Sequence, residues 1–276
     1  MSTLYVVATP IGNLADMTYR AVDCLKAVGV VYAEDTRRSR VLLDHFGISK
    51  PLRSMHEHNE KQRVADVVNA LADGDVALLT DAGTPAVSDP GAELVAGIAR
   101  EGTHKVVPIP GASALATALS VAGFSEGAVT FLGFLPVKGR ERTEELAAIA
   151  MNRGIVVLYE APHRIGDTLS DLTKLEALRP ACVCRELTKM HEELARGTVK
   201  ELAAKFSGEV RGEITIVLGP TTKERMTASA QDLDAAIKRA LEAGLSARDA
   251  ATAVAAILNL PKRDVYQRVQ ALSRQS

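Results

Sequence analysis

Two short stretches concentrate the side chains that could move a proton. Tyr159-Glu160-Ala161-Pro162-His163-Arg164 sets a carboxylate, an imidazole and a guanidinium directly after the apolar run 155–159, and Arg185-Glu186-Leu187-Thr188-Lys189 closes the run 181–185. Such groups act as general acids or bases toward a weak nucleophile when they reach one cleft. A second set of motifs is built for binding. Thr9-Pro10-Ile11-Gly12-Asn13, Asp35-Thr36-Arg37, Asp81-Ala82-Gly83-Thr84-Pro85 and Ile109-Pro110-Gly111-Ala112-Ser113 each follow a predicted strand. Glycine and proline there let the backbone approach a small molecule and present N–H and C=O groups to it. One such loop is an ordinary tight connection. Four at the carboxyl edge of an open parallel sheet, where ligands bind at a switch in strand order, face one cleft. No G-x-G-x-x-G follows a strand and no G-x-x-x-x-G-K-[ST] occurs, so the ligand is not expected to be a pyrophosphate.

Other chemistry-bearing residues have blander readings. His56-Glu57-His58-Asn59-Glu60 lacks a third ligand at a recognisable spacing, so no metal is expected, and His58 or Asn59 serves as a helix cap. Cys182 and Cys184 alternate to one face of a strand and read as small core residues. Basic residues cluster at Arg37, Arg38 and Arg40, at Lys138, Arg140 and Arg142, and at Lys262, Arg263 and Arg268. On one surface, such clusters would be phosphate contacts that position RNA without specifying its sequence.

The elements that must hold these residues alternate. Strands are predicted at 4–8, 30–34, 76–80, 105–108 and 129–133, with a weaker one at 52–55, and helical stripes fill the gaps, the clearest being Val64, Val67, Val68 and Leu71. Another helix starts at Ser113. This pattern builds a mostly parallel sheet covered by helices, an α/β domain over residues 1–135. A charged helix from Lys138 and strands at 155–159, 181–185, 193–197 and 213–218 form an α+β domain over 136–220 that closes the cleft. Residues 225–276 read as three helices of helix-turn-helix type with a net charge of +3, Ser246-Ala247-Arg248-Asp249 capping the second and Pro261 starting the third.

Length and composition agree. The 276 residues suit two compact units and a small appendage, and 47% apolar with 24% charged residues permits a sizeable core. A net charge of −1 leaves no global field to hold a polyanion, so any RNA must meet local patches. With 5 Phe, 5 Tyr and no Trp, extensive base stacking is not expected. An odd count of 3 Cys points to a reducing compartment, and with no apolar run near the ~20 residues of a membrane span and no secretion signal in view, a cytoplasmic location is expected.

In order and spacing, the motifs resemble the ribosomal-RNA methyltransferase branch of the tetrapyrrole methylase superfamily. They are 9–14 (TPIGNL), 33–37 (AEDTR), 56–60 (HEHNE), 81–85 (DAGTP), 89–91 (DPG), 159–164 (YEAPHR) and 186–189 (ELTK), covering residues 4–219. The chain departs at Pro110-Gly111-Ala112-Ser113, where several members carry a second proline after the glycine. The resemblance implies a homodimeric two-domain enzyme with S-adenosylmethionine between the domains. Its substrate would be the 2′-hydroxyl of a cytidine in small-subunit (16S) ribosomal RNA, free or in the assembled subunit. The matched loops imply Pro10, Asp81, Ala82, Gly83, Ser88, Pro110, Gly111, Ser113, Gly212 and Glu213 as cofactor contacts. For a base, Asp35, Glu160, His163 and Lys189 are candidates, with Glu160 and His163 ranked first. Arg37, Arg38, Arg164 and Arg185 fall to RNA phosphates or structural pairing. The alternatives are a C-methyltransferase acting on a tetrapyrrole, a catalytically silent RNA-binding or assembly factor on the same scaffold, and an NAD-dependent oxidoreductase, the last disfavoured by the missing fingerprint.

Overall fold

The computed structural model describes residues 1–56, 59–125, 127–221, 230–242, 244–258 and 262–273. Glu57, His58 and Pro261, three residues to which the sequence gives roles, lie outside them. The chain divides into two compact units, Met1–Thr222 and Lys223–Ser276.

The first unit opens with β1 (Thr3–Val7), α1 (Tyr19–Ala27), β2 (Val30–Ala33), α2 (Thr36–His45), β3 (Leu52–Ser54), α3 (Glu60–Asp73), β4 (Val76–Leu79), α4 (Ala92–Glu101), β5 (Lys105–Ile109) and α5 (Ala114–Ala122). Its five strands run in the order β3-β2-β4-β1-β5 and every pair is parallel. Strands β2 (VVYA) and β4 (VALL) are buried along their whole length, as strands covered by helices on both faces must be. On one face Leu25, Leu43 and Ile48 pack on Val7, Val31 and Ala77, and on the other Val67, Leu71, Leu94 and Ile98 pack on Leu4, Tyr32 and Leu78.

The second half continues with β6 (Val129–Phe134), α6 (Gly139–Met151), β7 (Ile155–Glu160), α7 (Ile165–Glu176), β8 (Pro180–Arg185), β9 (Glu193–Thr198), α8 (Val199–Lys205) and β10 (Ile214–Leu218). Its sheet runs β6-β7-β10-β8-β9, with β6 and β7 parallel and the remaining pairs antiparallel. Two expectations are corrected here. The strand at 129–133, assigned to the first domain, belongs to the second sheet, because its partner is β7 and not β5. The boundary at 135 likewise does not separate two independent bodies. Helix α5 follows the first sheet in the chain, yet its Ala118 and Ala122 are buried against Ile155, Val157, Cys182, Cys184 and Val217 of the second. The helix therefore belongs to the core of the second half, where Ile11 from the loop after β1 joins it, and residues 1–222 form one compact unit.

The second unit holds α9 (Ala230–Glu242), α10 (Ala247–Leu258) and α11 (Lys262–Ser273) around Ile237, Ala251, Val254, Val265 and Val269. Half of the expected capping box is present: the Asp249 N–H donates to Ser246 Oγ at 3.2 Å, while the Asp249 carboxylate accepts from the Ser246 hydroxyl at 2.6 Å. Arg268, expected among phosphate contacts, is instead forked onto both oxygens of Asp234 at 2.6 Å. Among the described residues no helix is long and apolar enough to cross a membrane.

Candidate active site

The loops after β1, β4 and β5 are tied to one another before any ligand is considered. Thr9 and Gly83 exchange two backbone hydrogen bonds, of 2.8 and 3.0 Å, and Thr84 Oγ1 donates to the Ala112 carbonyl at 3.2 Å. Gly83 adopts φ +86°, a left-handed conformation that suits glycine. Ser113 caps α5 by accepting from the Ala116 N–H. Gly111 approaches β1 so closely that a Cβ there would lie 3.1 Å from the Ala8 Cβ.

Two cavities open beside these loops. The first, of about 330 Å³, is walled by Ala82–Thr84 and Val87–Asp89, by Ser113 and Ala114 at the start of α5, by Tyr159–Pro162 at the end of β7, and by Cys184, Leu187 and Gly212–Thr215. Phe134 edges it. The Tyr159 hydroxyl accepts from the Leu115 N–H at 3.2 Å, while its ring meets Phe131 and Phe134 edge-on. Burial pushes the Tyr159 hydroxyl above its usual pKa. The second cavity, of about 240 Å³, is bounded by Thr9–Gly12, Leu14, several α2 residues including Arg38, Thr80–Ala82, and Lys189 with Glu213. Ile11, Ala82 and Glu213 line both.

The cofactor contacts implied by resemblance divide between the two. Ala82, Gly83, Ser88, Ser113, Gly212 and Glu213 line the first cavity, and Pro10 and Asp81 the second. Pro110 and Gly111 are exposed and line neither, so what they contribute is the close turn against β1 that brings Ser113 round.

The four candidate bases are not assembled as expected. Glu160 does line the first cavity, but its carboxylate accepts from Thr168 Oγ1 at 2.5 Å and from the Ala161 N–H at 2.8 Å, and pairs with Arg164 Nε at 3.3 Å. These contacts tie it to the turn that leads into α7 and to the first turn of that helix. His163 is exposed and lines neither cavity, because the buried phase of α7 begins at Ile165. Asp35 caps α2 and forks with Arg37, and the Arg37 side chain and N–H hold its carboxyl down at about 2, too weak a base for an alcohol. Asp35→Ala is therefore expected to fray α2 and lower Tm while leaving the pH dependence of turnover unmoved. Lys189 donates to Glu186 at 2.8 Å and Glu213 at 3.0 Å. Burial works to lower its pKa, the two carboxylate hydrogen bonds outweigh it, and the ammonium stays charged.

The arginines sort similarly. Arg37 and Arg38 are exposed, Arg38 lying 3.3 Å from Asp81 on the rim of the second cavity. Arg164 is largely buried, donating to the Leu135 carbonyl at 2.7 Å, and Arg185 pairs with Glu193 at 3.0 Å, so both are structural. Asn59 caps no helical N–H but accepts from the His56 N–H at 2.8 Å. Cys182 and Cys184 are buried core residues, with Cys184 also touching the first cavity.

Residue-type reasoning passed over Asp89, which lines the first cavity from the loop between β4 and α4. Its only signal was the Asp-Pro-Gly run at 89–91. It also passed over Glu60, whose buried carboxylate accepts from the N–H groups of Gly91 and Leu94 at 3.0 and 3.1 Å and so anchors the start of α4.

Residues 3–203, which build the all-parallel sheet and most of the mixed sheet beside the first cavity, match the model of the Tetrapyrrole (Corrin/Porphyrin) Methylases. The chain belongs to that family. Residues 227–273 match the model described as RsmI C-terminal HTH domain. Relatives named Ribosomal RNA small subunit methyltransferase I include those of Synechocystis sp. (43% identical, covering 97% of each chain) and Neisseria meningitidis serogroup B (44%, 96% of this chain and 91% of that one). The Bacillus subtilis protein of that name is 38% identical, over 96% and 93%. Among solved structures, uroporphyrin III C-methyltransferase from Thermus thermophilus has the same fold, with a TM-score of 0.59 at 22% identity over 79% of this chain and 97% of that one. A diphthine synthase superposes with a TM-score of 0.60 at 15% identity, over 79% and 90%.

Proposed function

We propose that the protein is an S-adenosylmethionine-dependent methyltransferase acting on the ribose 2′-hydroxyl of a cytidine in small-subunit (16S) ribosomal RNA. The observation that carries this reading is the lining of the first cavity: among the described residues it holds apolar side chains, backbone and the carboxylates of Asp89, Glu160 (paired with Arg164) and Glu213 (paired with Lys189), and no lysine, arginine or histidine. Apolar walls edged by acids fit a ligand that joins a flat heterocycle to a positively charged sulfur. Ala82, Gly83, Ser113, Ala114, Gly212 and Glu213 would hold it. When bound, the donor supplies an electrophilic methyl group for in-line displacement, so alignment provides much of the acceleration.

The second cavity differs in carrying cations, Arg38 paired with Asp81 at 3.3 Å and Lys189 with Glu213 at 3.0 Å on its own lining. Lys189 and Arg38 on its walls suit a phosphate-bearing substrate, and its shared wall of Ile11, Ala82 and Glu213 lets a sugar hydroxyl approach the donor side. In this reading the enzyme works as a cytoplasmic homodimer, and the C-terminal helices add RNA affinity. The target must leave its stack, at a few kcal/mol in a duplex and less in irregular RNA, so a folded subunit is the preferred substrate form. The test incubates small subunits lacking the modification with protein and labelled S-adenosylmethionine, then maps the label by mass spectrometry. One methylated cytidine ribose is expected. Label on a base carbon, or none while a tetrapyrrole is methylated, would sink the proposal.

A further inference from the structure

Three carboxylates line the first cavity, and two of them are occupied. Glu160 is bound by Arg164, Thr168 and Ala161, and Glu213 by Lys189. Asp89 is the one without an ion-pair partner among the described residues. Its neighbours are the buried Thr80, the carboxylates of Glu34 and Asp81, and the Tyr159 phenol. Thr80 donates to Glu34 at 3.1 Å and lines the second cavity.

The backbone around Asp89 is strained. Ala86 and Ser88 sit at φ +66° and +62°, in the left-handed region that side chains disfavour by roughly 1–2 kcal/mol each. Gly91 at φ +128° packs so tightly that a Cβ would lie 2.8 Å from Leu78 Cδ2, and the Glu60 carboxylate pins the Gly91 and Leu94 amides. Such strain persists where surrounding structure over-determines it, and it clusters at functional sites. Here it turns the Asp89 side chain toward the cavity.

We infer that Asp89 is the general base that accepts the proton of the ribose hydroxyl during methyl transfer, an inference that rests on the proposed function. The ribose oxygen forms its bond to the methyl carbon as the carbon–sulfur bond breaks, the hydroxyl proton passes to the Asp89 carboxylate, and the sulfur leaves as a neutral thioether. Asp89 then returns the proton to solvent. Burial, followed by the charge of Glu34, raises the carboxyl of Asp89 to about 6, nearer the working pH of a base than an ordinary carboxylate.

The test is single-turnover methylation of unmodified small subunits by wild type and Asp89→Asn, with S-adenosylmethionine affinity measured by calorimetry. At saturating S-adenosylmethionine a loss of roughly 10²- to 10⁴-fold in rate is expected, larger than the loss of donor affinity that follows from removing one of the acids at the cavity edge. Stability supplies the folding control. A carboxyl whose folded pKa lies above its unfolded value is destabilising once pH rises past both, so Asp89→Asn should be at least as stable as wild type at pH 8. The wild-type rate should also fall about tenfold per pH unit below about 6, a limb absent from the variant. A variant rate within threefold of wild type, or a loss accounted for by weakened donor binding, overturns Asp89 as base and leaves the proposed function standing. Absence of ribose methylation by the wild type overturns both.

Discussion

Glu160→Ala is expected to cost about 3–5 kcal/mol of stability, the loss typical of removing one partner from a buried ion pair. The carboxylate side chain has no exposed surface and Arg164 is 17% exposed, so neither has water to turn to. Without Glu160, the Thr168 hydroxyl and the Ala161 N–H lose their acceptor, and the guanidinium keeps only the carbonyls of Leu135 and Pro136. Because Arg164 ties the end of β6 to the start of α7, the deficit falls on the second sheet and its cavity wall together. Glu160→Gln, which retains an acceptor for Thr168 or Ala161, should lose less. Denaturant unfolding at neutral pH decides it. Unchanged stability with a large loss of turnover would return Glu160 to the role of base.

Gly212→Ala is expected to weaken S-adenosylmethionine binding roughly tenfold to a hundredfold, with a smaller effect on folding. Gly212 sits at φ +94°, and a Cβ there would lie 2.5 Å from Cγ, Cδ and Oε1 of Glu186. Overpacking of this kind costs about 1–3 kcal/mol unless the wall moves to relieve it, and a wall moved out of the donor's reach loses a factor of ten in affinity for each 1.4 kcal/mol of contact given up. Glu186 cannot move alone, since it accepts from Lys189 Nζ at 2.8 Å and from the Glu213 N–H at 2.9 Å. Lys189 is itself pressed against Gly12, where a Cβ would meet its Cγ. One methyl group at 212 thus disturbs the wall shared by both cavities. Calorimetric titration with the donor measures it, and an unchanged Kd would show that this wall does not touch the donor.

What the residues announced and what they hid follow from range. Glycine and proline after strand-like runs marked the loops at 9–13, 81–85 and 109–113, because turn chemistry is local and β-branched runs are short. The partner of a strand is not local, so β6 was assigned to the wrong sheet; nothing within 129–134 distinguishes β5 from β7 as its neighbour. His163 carries chemistry by type, but it sits exposed in the turn between β7 and α7, ahead of the first buried helical residue, Ile165. Glu160 looks like a free carboxylate in the sequence because its partner Thr168 lies eight residues onward, across a turn and in the first turn of α7. Asp89 needed two non-glycine residues with positive φ, which no residue type at 86 or 88 advertises.

The position of α5 carries a consequence for dissecting the molecule. By chain order it is the last piece of the first sheet's layer, while its alanine face is a structural part of the other half and its first turn forms part of the donor wall. A fragment ending near residue 125 would present that alanine stripe to water, and one beginning there would lack the lid over Val157 and Val217. The enzyme cannot be parsed into separately expressible modules at this seam, and swapping either half between relatives must transplant the helix with both of its neighbours.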